Sequence, residues 1–196
     1  MALRSLLLAL MVLVLGIFTG CGENYGNLKF KEGNYKTGEC QQELSAGKHY
    51  HEIKGIDRIV VEKKNRKMYL YKGDKVVETF RISLGKNPDG TKLKQGDFRT
   101  PIGTYQITLK KCHPKYYRMI NISYPNSADI AAARARGDNP GSGITIHAQP
   151  FWNDDGKGNN YTLSKDWTNG CVAVTNEAMD TLWYTVKSGT PIEIKA

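Results

Sequence analysis

The chain has 196 residues, of which 40% are hydrophobic and 24% are charged, and this balance excludes a disordered chain and fits a single globular domain. Its 28 Lys and Arg residues against 19 Asp and Glu residues give a formal net charge of +9. The basic residues occur only in short runs such as Lys63-Lys64 and Lys110-Lys111, which argues against a nucleic-acid-binding arm and leaves an anionic cell-surface polymer as a partner.

Residues 1–20 have the composition of an export signal. Arg4 precedes an uncharged apolar run from Leu6 to Phe18, which as a helix would rise roughly 20 Å, less than the ~30 Å hydrocarbon core of a bilayer. The run ends in Phe18-Thr19-Gly20-Cys21, which resembles the lipobox of bacterial lipoproteins, with Phe18 where Leu is usual. The resemblance implies that Cys21 is lipidated and becomes the mature N-terminus. An ordinary secretory signal is the alternative.

Residues 21–55 are predicted to form a tether, because they are polar, contain several glycines and show little apolar periodicity. Export would permit disulfides. A bridge between Cys40 in this tether and Cys112 in the domain is possible, but sequence cannot show proximity, so the pairing stays open.

From Ile56 onward the pattern is that of short strands. The runs 59–61, 68–71 and 76–82 are separated by charged or Gly-containing turns and predict an antiparallel meander. Further strands are predicted at 104–109, 144–146, 172–174 and 192–194.

Two helices are predicted. The first is Ala-rich and covers Ser127–Arg136. The second begins at Asn176 as its N-cap and ends before Gly189. Its apolar stripe has core spacing and consists of Met179, Leu182, Trp183 and Val186. The domain over residues 56–196 is therefore expected to be mainly β, with one or two packed helices.

Cys171 is the candidate nucleophile. It ends the turn Thr168-Asn169-Gly170-Cys171, in which Gly170 lets backbone N–H groups turn toward a substrate carbonyl. His147 ends another predicted strand 24 residues earlier, and neighbouring strands would place it beside Cys171 as a base. A buried free Cys and a structural His are the alternatives to catalysis.

The segment Ile146-His147, a spacer and Trp167–Asn176 resemble the core of the L,D-transpeptidase catalytic domain (YkuD or ErfK type). Upstream, Lys67–Tyr71, Ile82–Gly85 and Gly96–Tyr105 resemble the N-terminal half of the same family, so the resemblance covers about residues 56–195. It implies a β-sandwich or barrel-like fold and a bacterial cell-envelope enzyme that needs no metal, nucleotide or other cofactor.

The resemblance also implies a mechanism and a set of site residues. Cys171 would attack a carbonyl of a peptidoglycan stem peptide to form a thioester, with His147 as general base and acid. An amine would resolve the thioester into a cross-link, and water would resolve it into a hydrolysed stem. N–H groups near Gly170 and Cys171 would form the oxyanion hole, in the turn that also contains Asn169. Arg99 and Thr168 are the candidate substrate-binding residues.

Three positions depart from the family pattern. Asn169 replaces the usual His, Ala173 replaces an Arg that could contact a substrate carboxylate, and Ala148 stands where Gly or Ser is usual. The motif is more similar to a divergent branch with Ala at this position, which includes a hydrolase of the peptidoglycan–lipoprotein linkage. Transpeptidase, hydrolase and non-catalytic wall-binding lipoprotein therefore remain the functional hypotheses.

The expected location is the cell envelope, with the domain facing the periplasm and a lipid anchor on Cys21 as its contact with the membrane. Gly22 is not the Asp that marks inner-membrane retention in bacteria with two membranes. The family analogy therefore favours the outer membrane over the inner one.

Overall fold

A computed structural model describes residues 37–46, 55–151 and 162–196, so the predicted signal segment and Cys21 lie outside the described residues. Within these ranges no helix has the length and apolar character needed to span a membrane. The α-helices are α1 (Gly38–Ala46), α2 (Ser127–Ala135) and α3 (Asn176–Thr185). The strands are β1 (Arg58–Glu62), β2 (Lys67–Lys72), β3 (Lys75–Arg81), β4 (Gly103–His113), β5 (Tyr117–Ile122), β6 (Thr145–His147), β7 (Val172–Ala173) and β8 (Pro191–Lys195).

The strands form one sheet in the order β3-β2-β1-β8-β4-β5-β6-β7. The predicted meander is confirmed as β1, β2 and β3, which pair antiparallel. The last strand, β8, lies between β1 and β4, parallel to the first and antiparallel to the second, and so joins the two halves of the sheet. The fold is mainly β, as predicted.

The two ends of the sheet approach each other. Ser83, just beyond β3, forms an antiparallel bridge with Ala173 of β7, in which each residue donates its N–H to the other's carbonyl at 2.9 and 2.8 Å. Gly85 forms a second bridge with Thr168. This contact gives the sheet the barrel-like closure that the family resemblance implies, and it connects the segment after β3 to the strand that follows Cys171.

Helix α3 covers the sheet with the predicted apolar stripe, of which Met179, Leu182 and Trp183 are buried. Its N-cap, however, is Thr175 and not Asn176. Thr175 has extended backbone and its hydroxyl accepts from the N–H of Ala178. The buried Asn176 side chain instead accepts from the N–H of Gln149, at 3.1 Å, and thereby ties the helix to the segment after β6.

Strand β5 has no counterpart in the sequence prediction. Its alternate positions Arg118, Ile120 and Ile122 are buried, and Arg118 is only 2% exposed. Because a charged side chain occupies one of the inward positions, the apolar alternation is interrupted at its start.

Helix α1 lies within residues 21–55, the predicted tether. Cys40 of α1 forms a disulfide with Cys112 of β4, which settles the pairing that the sequence left open. Glu43 forms an ion pair with Arg118, whose guanidinium also lies 2.7 Å from Asp180 of α3. Part of the predicted tether is thus folded onto the domain. A disulfide and an ion pair hold it there, and neither produces an apolar pattern.

Candidate active site

The thiol of Cys171 opens into a cavity of about 670 Å³. Cys171 directly precedes β7, is partly exposed and is the free cysteine of the described chain. One wall comes from the loop between β3 and β4, and the other from α2 and the segment before β6. The lining includes Lys92, Gln95, Phe98, Ile130, Asn139, Gly143 and Asn169.

Strand pairing places Cys171 and His147 on one face of the sheet. In the parallel pair β6–β7, Ile146 is opposite Val172 and His147 is opposite Ala173. Thr145 Oγ1 lies 3.5 Å from Cys171 Sγ, so the thiol lies on the face that Thr145 and His147 share by alternation. His147 follows Thr145 by two positions, which puts the imidazole diagonally across from the thiol.

The imidazole of His147 is buried and held in one tautomer. Its Nδ1 lies 2.9 Å from the carbonyl oxygen of Ala148. Since a carbonyl can only accept, Nδ1 must carry the proton, which leaves the Nε2 lone pair available as a base. The rings of Tyr116 and Trp167 lie 4.3 and 5.4 Å from the His147 ring, between centroids.

Burial is the main cause of a low pKa at His147. It lowers the pKa to about 4, electrostatic repulsion from His113 and Lys115 acts in the same direction, and the hydrogen bond to Ala148 opposes them. The ring is therefore neutral at neutral pH. A neutral imidazole with a free Nε2 can accept a proton from a thiol.

The turn before Cys171 is held by the hydroxyl of Thr168. Thr168 Oγ1 accepts from the N–H of Gly170 at 3.1 Å and donates to the carbonyl of Cys171 at 2.7 Å. Gly170 has φ +126°, and a Cβ there would lie 2.7 Å from the Arg99 carbonyl oxygen. The turn therefore needs glycine for its backbone conformation and for its close approach to the neighbouring loop.

Of the expected oxyanion donors, the N–H groups near Gly170 and Cys171, the turn uses one internally. The N–H of Gly170 already donates to Thr168 and is not available to a substrate. Among the described residues, none accepts a hydrogen bond from the N–H of Cys171. Asn169 is exposed and lines the cavity. The N–H of Cys171 is thus the backbone donor beside the thiol.

The two candidate substrate-binding residues, Thr168 and Arg99, both lie next to the turn that carries Cys171. Thr168 is 3% exposed and uses its hydroxyl within the turn. The carbonyl oxygen of Arg99 packs against Gly170, and the Arg99 guanidinium donates to the carbonyl of Thr91 at 3.5 Å. Arg99 is not one of the residues that line the cavity. Thr168 thus shapes the turn through its hydroxyl, and Arg99 contacts the turn through its backbone carbonyl.

An ion pair inside the cavity wall was not predicted from the sequence. Lys92 Nζ lies 2.7 Å from Asp97 Oδ1, and both side chains are nearly buried. The carboxylate also accepts from the N–H groups of Leu93, Lys94 and Arg99. Burial alone would raise the pKa of Asp97, but these hydrogen bonds outweigh it and lower the pKa to about 2. In the sequence, the pair Gly96-Asp97 was the pattern that could have indicated a turn in which an Asp side chain accepts from nearby backbone N–H groups.

No group of three or more His, Cys, Asp or Glu side chains within the described ranges could hold a metal ion.

Comparisons with known proteins show the family of the chain. The family described as L,D-transpeptidase catalytic domain matches residues 56–194. YafK of Escherichia coli strain K12, a provisionally named L,D-transpeptidase, is 28% identical over 133 residues, which cover 66% of this chain and 46% of YafK. Among solved structures, the helical cell shape determining protein Pgp2 of Campylobacter jejuni has a TM-score of 0.54 at 23% identity, covering 76% of this chain and 50% of Pgp2. Bd1075 of Bdellovibrio bacteriovorus has a TM-score of 0.50 at 26% identity, covering 74% and 50% of the two chains.

The chain spans about half the length of these relatives. The likeness to Pgp2 concerns the fold. The family match runs from the residues before β1 into β8 and includes both His147 and Cys171. The chain therefore belongs to the L,D-transpeptidase catalytic domain family.

Proposed function

We propose that the chain is a cell-envelope acyltransferase that acts on peptidoglycan stem peptides, with Cys171 as nucleophile and His147 as general base and acid. The observation that carries the proposal is the partly exposed thiol of Cys171 at a cavity, with a neutral imidazole on the same face of the adjacent strand. The family match supplies the substrate class.

In the first half-reaction, the Cys171 thiol gives its proton to Nε2 of His147, and the thiolate attacks a stem-peptide carbonyl carbon. The oxygen of the tetrahedral intermediate accepts from the N–H of Cys171, and one such donor typically contributes about 3 kcal/mol. The carbon–nitrogen bond then breaks, the leaving amine takes the proton from His147, and a thioester remains on Cys171.

In the second half-reaction, an acceptor amine attacks the thioester while His147 takes its proton. The carbon–sulfur bond breaks and the proton returns to the sulfur. The product is a new amide cross-link. The hydrogen bond from Nδ1 to Ala148 keeps the imidazole in the same tautomer through both half-reactions.

Hydrolysis of the same thioester is the second candidate function. Ala173, at the position where typical members carry Arg, is fully buried and bridges with Ser83. The Lys92 ammonium in the cavity wall is paired with Asp97. Neither position therefore offers a free cation to a terminal carboxylate, and this favours an acyl donor bound through other contacts, such as the peptidoglycan–lipoprotein linkage that a hydrolase of this family would cleave.

The proposal is tested with purified protein and disaccharide-tetrapeptide. A covalent acyl adduct on Cys171 is expected by mass spectrometry, and it should be lost in Cys171→Ala. Dimeric products would assign the transferase and tripeptide products the hydrolase. If the protein binds cell wall but forms neither an adduct nor a product, the enzyme hypothesis is rejected in favour of a wall-binding lipoprotein.

The location proposed is the cell envelope, with the domain tethered to the outer membrane by a lipid on Cys21. Cys21→Ser should move the full-length protein from the membrane to the soluble fraction of cells. Cys171→Ser is the matched control and should stay with the membrane. Membrane partitioning of Cys21→Ser would reject the anchor.

A further inference from the structure

Lys63 is a buried lysine whose ammonium group donates hydrogen bonds to backbone carbonyls. It lies directly after β1, is 3% exposed, and none of the carboxylates in the described ranges forms an ion pair with it. Its Nζ donates to the carbonyl of Thr100 at 2.8 Å and to the carbonyl of Gly90. Burying an ammonium group costs free energy, and these two hydrogen bonds offset that cost. An apolar side chain at this position could not form them.

The two carbonyls belong to the residues at either end of a loop that forms one wall of the cavity. Gly90 and Thr100 flank the loop 91–99, which contributes Lys92, Gln95, Gly96 and Phe98 to the lining around Cys171. A single ammonium therefore joins the start and the end of this loop. Within the loop, Asp97 organises the backbone, but the hydrogen bonds of its carboxylate all lie inside residues 92–99.

The loop is also connected to the turn that carries the nucleophile. Thr100 Oγ1 accepts from the N–H of Gly85, and Gly85 bridges with Thr168. The Arg99 carbonyl approaches Gly170 so closely that a Cβ there would not fit. The end of the loop is therefore in direct contact with the turn before Cys171.

The turn between β1 and β2, residues 63–66, also contacts the segment that leads to Cys171. Arg66 pairs with Asp166 at 2.7 Å, and Asp166 also accepts from the N–H of Leu84 at 2.8 Å. Asp166 stands five residues before Cys171 in the chain. The turn thus contacts the cavity loop through Lys63 and the nucleophile segment through Arg66.

We propose that Lys63 is a positioning residue that holds the 91–99 loop as a wall of the cavity and so sets how tightly the enzyme binds its acyl donor. This inference rests on the proposed function. Lys63 does not touch the thiol or the imidazole in any described contact, so its effect falls on binding more than on the chemical step.

The protonation of Lys63 agrees with this role. Burial is the main cause that lowers its pKa to about 8, and the cations Arg66 and Arg99 add to the effect. At neutral pH the group is still mostly an ammonium, which is the stronger donor to two carbonyls.

The test compares Lys63→Met, which keeps the length of the side chain and removes the donors, with Lys64→Met. Lys64 is the exposed neighbour in the same turn and serves as the matched control. In Lys63→Met, KM for the disaccharide-tetrapeptide is expected to rise about 10-fold, with a smaller change in kcat, as fits the loss of two hydrogen bonds from a charged donor. Lys63→Arg, which retains the charge and donors, should restore part of the loss.

A second measurement needs no turnover. Trypsin can cut the loop after Lys92, Lys94 or Arg99, and cleavage at these bonds, followed by mass spectrometry, should be about 10-fold faster in Lys63→Met, by the same two lost hydrogen bonds. Lys64→Met should match the wild type. Iodoacetamide labelling of Cys171 should stay within about 2-fold, since a small reagent does not need the wall.

Unchanged loop cleavage and unchanged KM in a folded Lys63→Met protein would overturn the inference. If Lys63→Met does not fold, Lys63→Gln decides by the same two measurements, because its shorter amide cannot reach both carbonyls. If the wild type forms no adduct, the proposed function fails, and the cleavage rates still decide whether Lys63 holds the loop.

Discussion

The ring of Tyr116 stacks on the ring of His147, with centroids 4.3 Å apart and planes inclined by 31°. Tyr116 stands in the turn between β4 and β5, so this turn covers the candidate base. Trp167, from the segment that leads to Cys171, meets the same imidazole with its edge. The two aromatic rings explain why His147 is only 2% exposed and why its pKa falls to about 4.

Removing the Tyr116 ring should therefore restore the basicity of His147. In Tyr116→Ala the pKa of His147 is expected to move from about 4 toward the ordinary value of 6.5, because water reaches the ring. The variant would then hold a protonated imidazole at pH 5 to 6, where the wild type is neutral, and lose activity in that window. An NMR titration of the His147 ring measures the change. Tyr116→Phe keeps the ring and should titrate like the wild type; a Phe variant that behaves like Ala would contradict this account.

The sequence predicted the elements whose signal is local. The strands around Val60, Leu70 and Ile146 follow alternation or short apolar runs, and the stripe of α3 follows helical spacing. Strand β5 was missed because Arg118 occupies a buried position. Helix α1 was missed because its attachment depends on a disulfide and an ion pair.

The site was predicted only in part for a related reason. Cys171 and His147 were identified from residue type and from the family resemblance, and strand pairing places them on one face. The stacking of Tyr116 and the reach of Lys63 join residues far apart in the chain. Contacts of this kind depend on tertiary packing, and a single sequence carries no periodic signal for them.

Gly170 should be intolerant of a side chain. A Cβ at this position would lie 2.7 Å from the Arg99 carbonyl oxygen and 3.2 Å from Ile144 Cδ1, with backbone at φ +126°. Gly170→Ala is expected to displace Cys171 and lower kcat/KM by at least about 100-fold, in line with a misplacement of about 1 Å. Gly189→Ala is the matched control, because Gly189 also has positive φ, +85°, but its Cβ would meet nothing within 4 Å. Equal losses in the two variants would show that backbone strain alone is responsible.

Thr168 should act through its hydroxyl. Thr168→Val removes both the acceptor for the Gly170 N–H and the donor to the Cys171 carbonyl, in a buried turn. The free energy of unfolding is expected to fall by about 2 kcal/mol, the order of magnitude for buried groups left without partners. Thr168→Ser retains the hydroxyl and should keep most of the stability and activity. Urea unfolding and thioacyl-adduct formation measure the two effects, and a Val variant as stable as Ser would speak against this role.

The Cys40–Cys112 disulfide should contribute strongly to stability. It joins residues 72 positions apart, and loop-closure entropy for such a separation is worth about 4 kcal/mol. Urea unfolding of Cys40→Ser/Cys112→Ser should show a loss of this order, and a reductant should produce the same loss in the wild type but no further change in the double variant. Cys171→Ser, which leaves the bridge intact, is the control. A wild type unaffected by reduction would show that the bridge contributes little.

Asp97 should make the stability of the domain depend on pH in the acid range. Its pKa is lowered to about 2, below the ordinary value of 3.8, because Lys92 and three backbone N–H groups donate to the carboxylate. The folded state thus binds fewer protons than the unfolded state between these values. The stabilisation is complete above about pH 4 and is lost as the pH falls toward 2.

The corresponding measurement compares Asp97→Asn with the wild type in urea unfolding from pH 6 to pH 2.5. The difference in free energy of unfolding should be constant near neutral pH and should shrink as the pH falls below about 4. Protonation of Asp97 then removes from the wild type the carboxylate charge that Asp97→Asn lacks at every pH. Asp74→Asn, in the exposed turn between β2 and β3, is the control and should change the free energy little at any pH. A difference for Asp97→Asn that stays constant down to pH 2.5 would show that the carboxylate charge does not stabilise the loop.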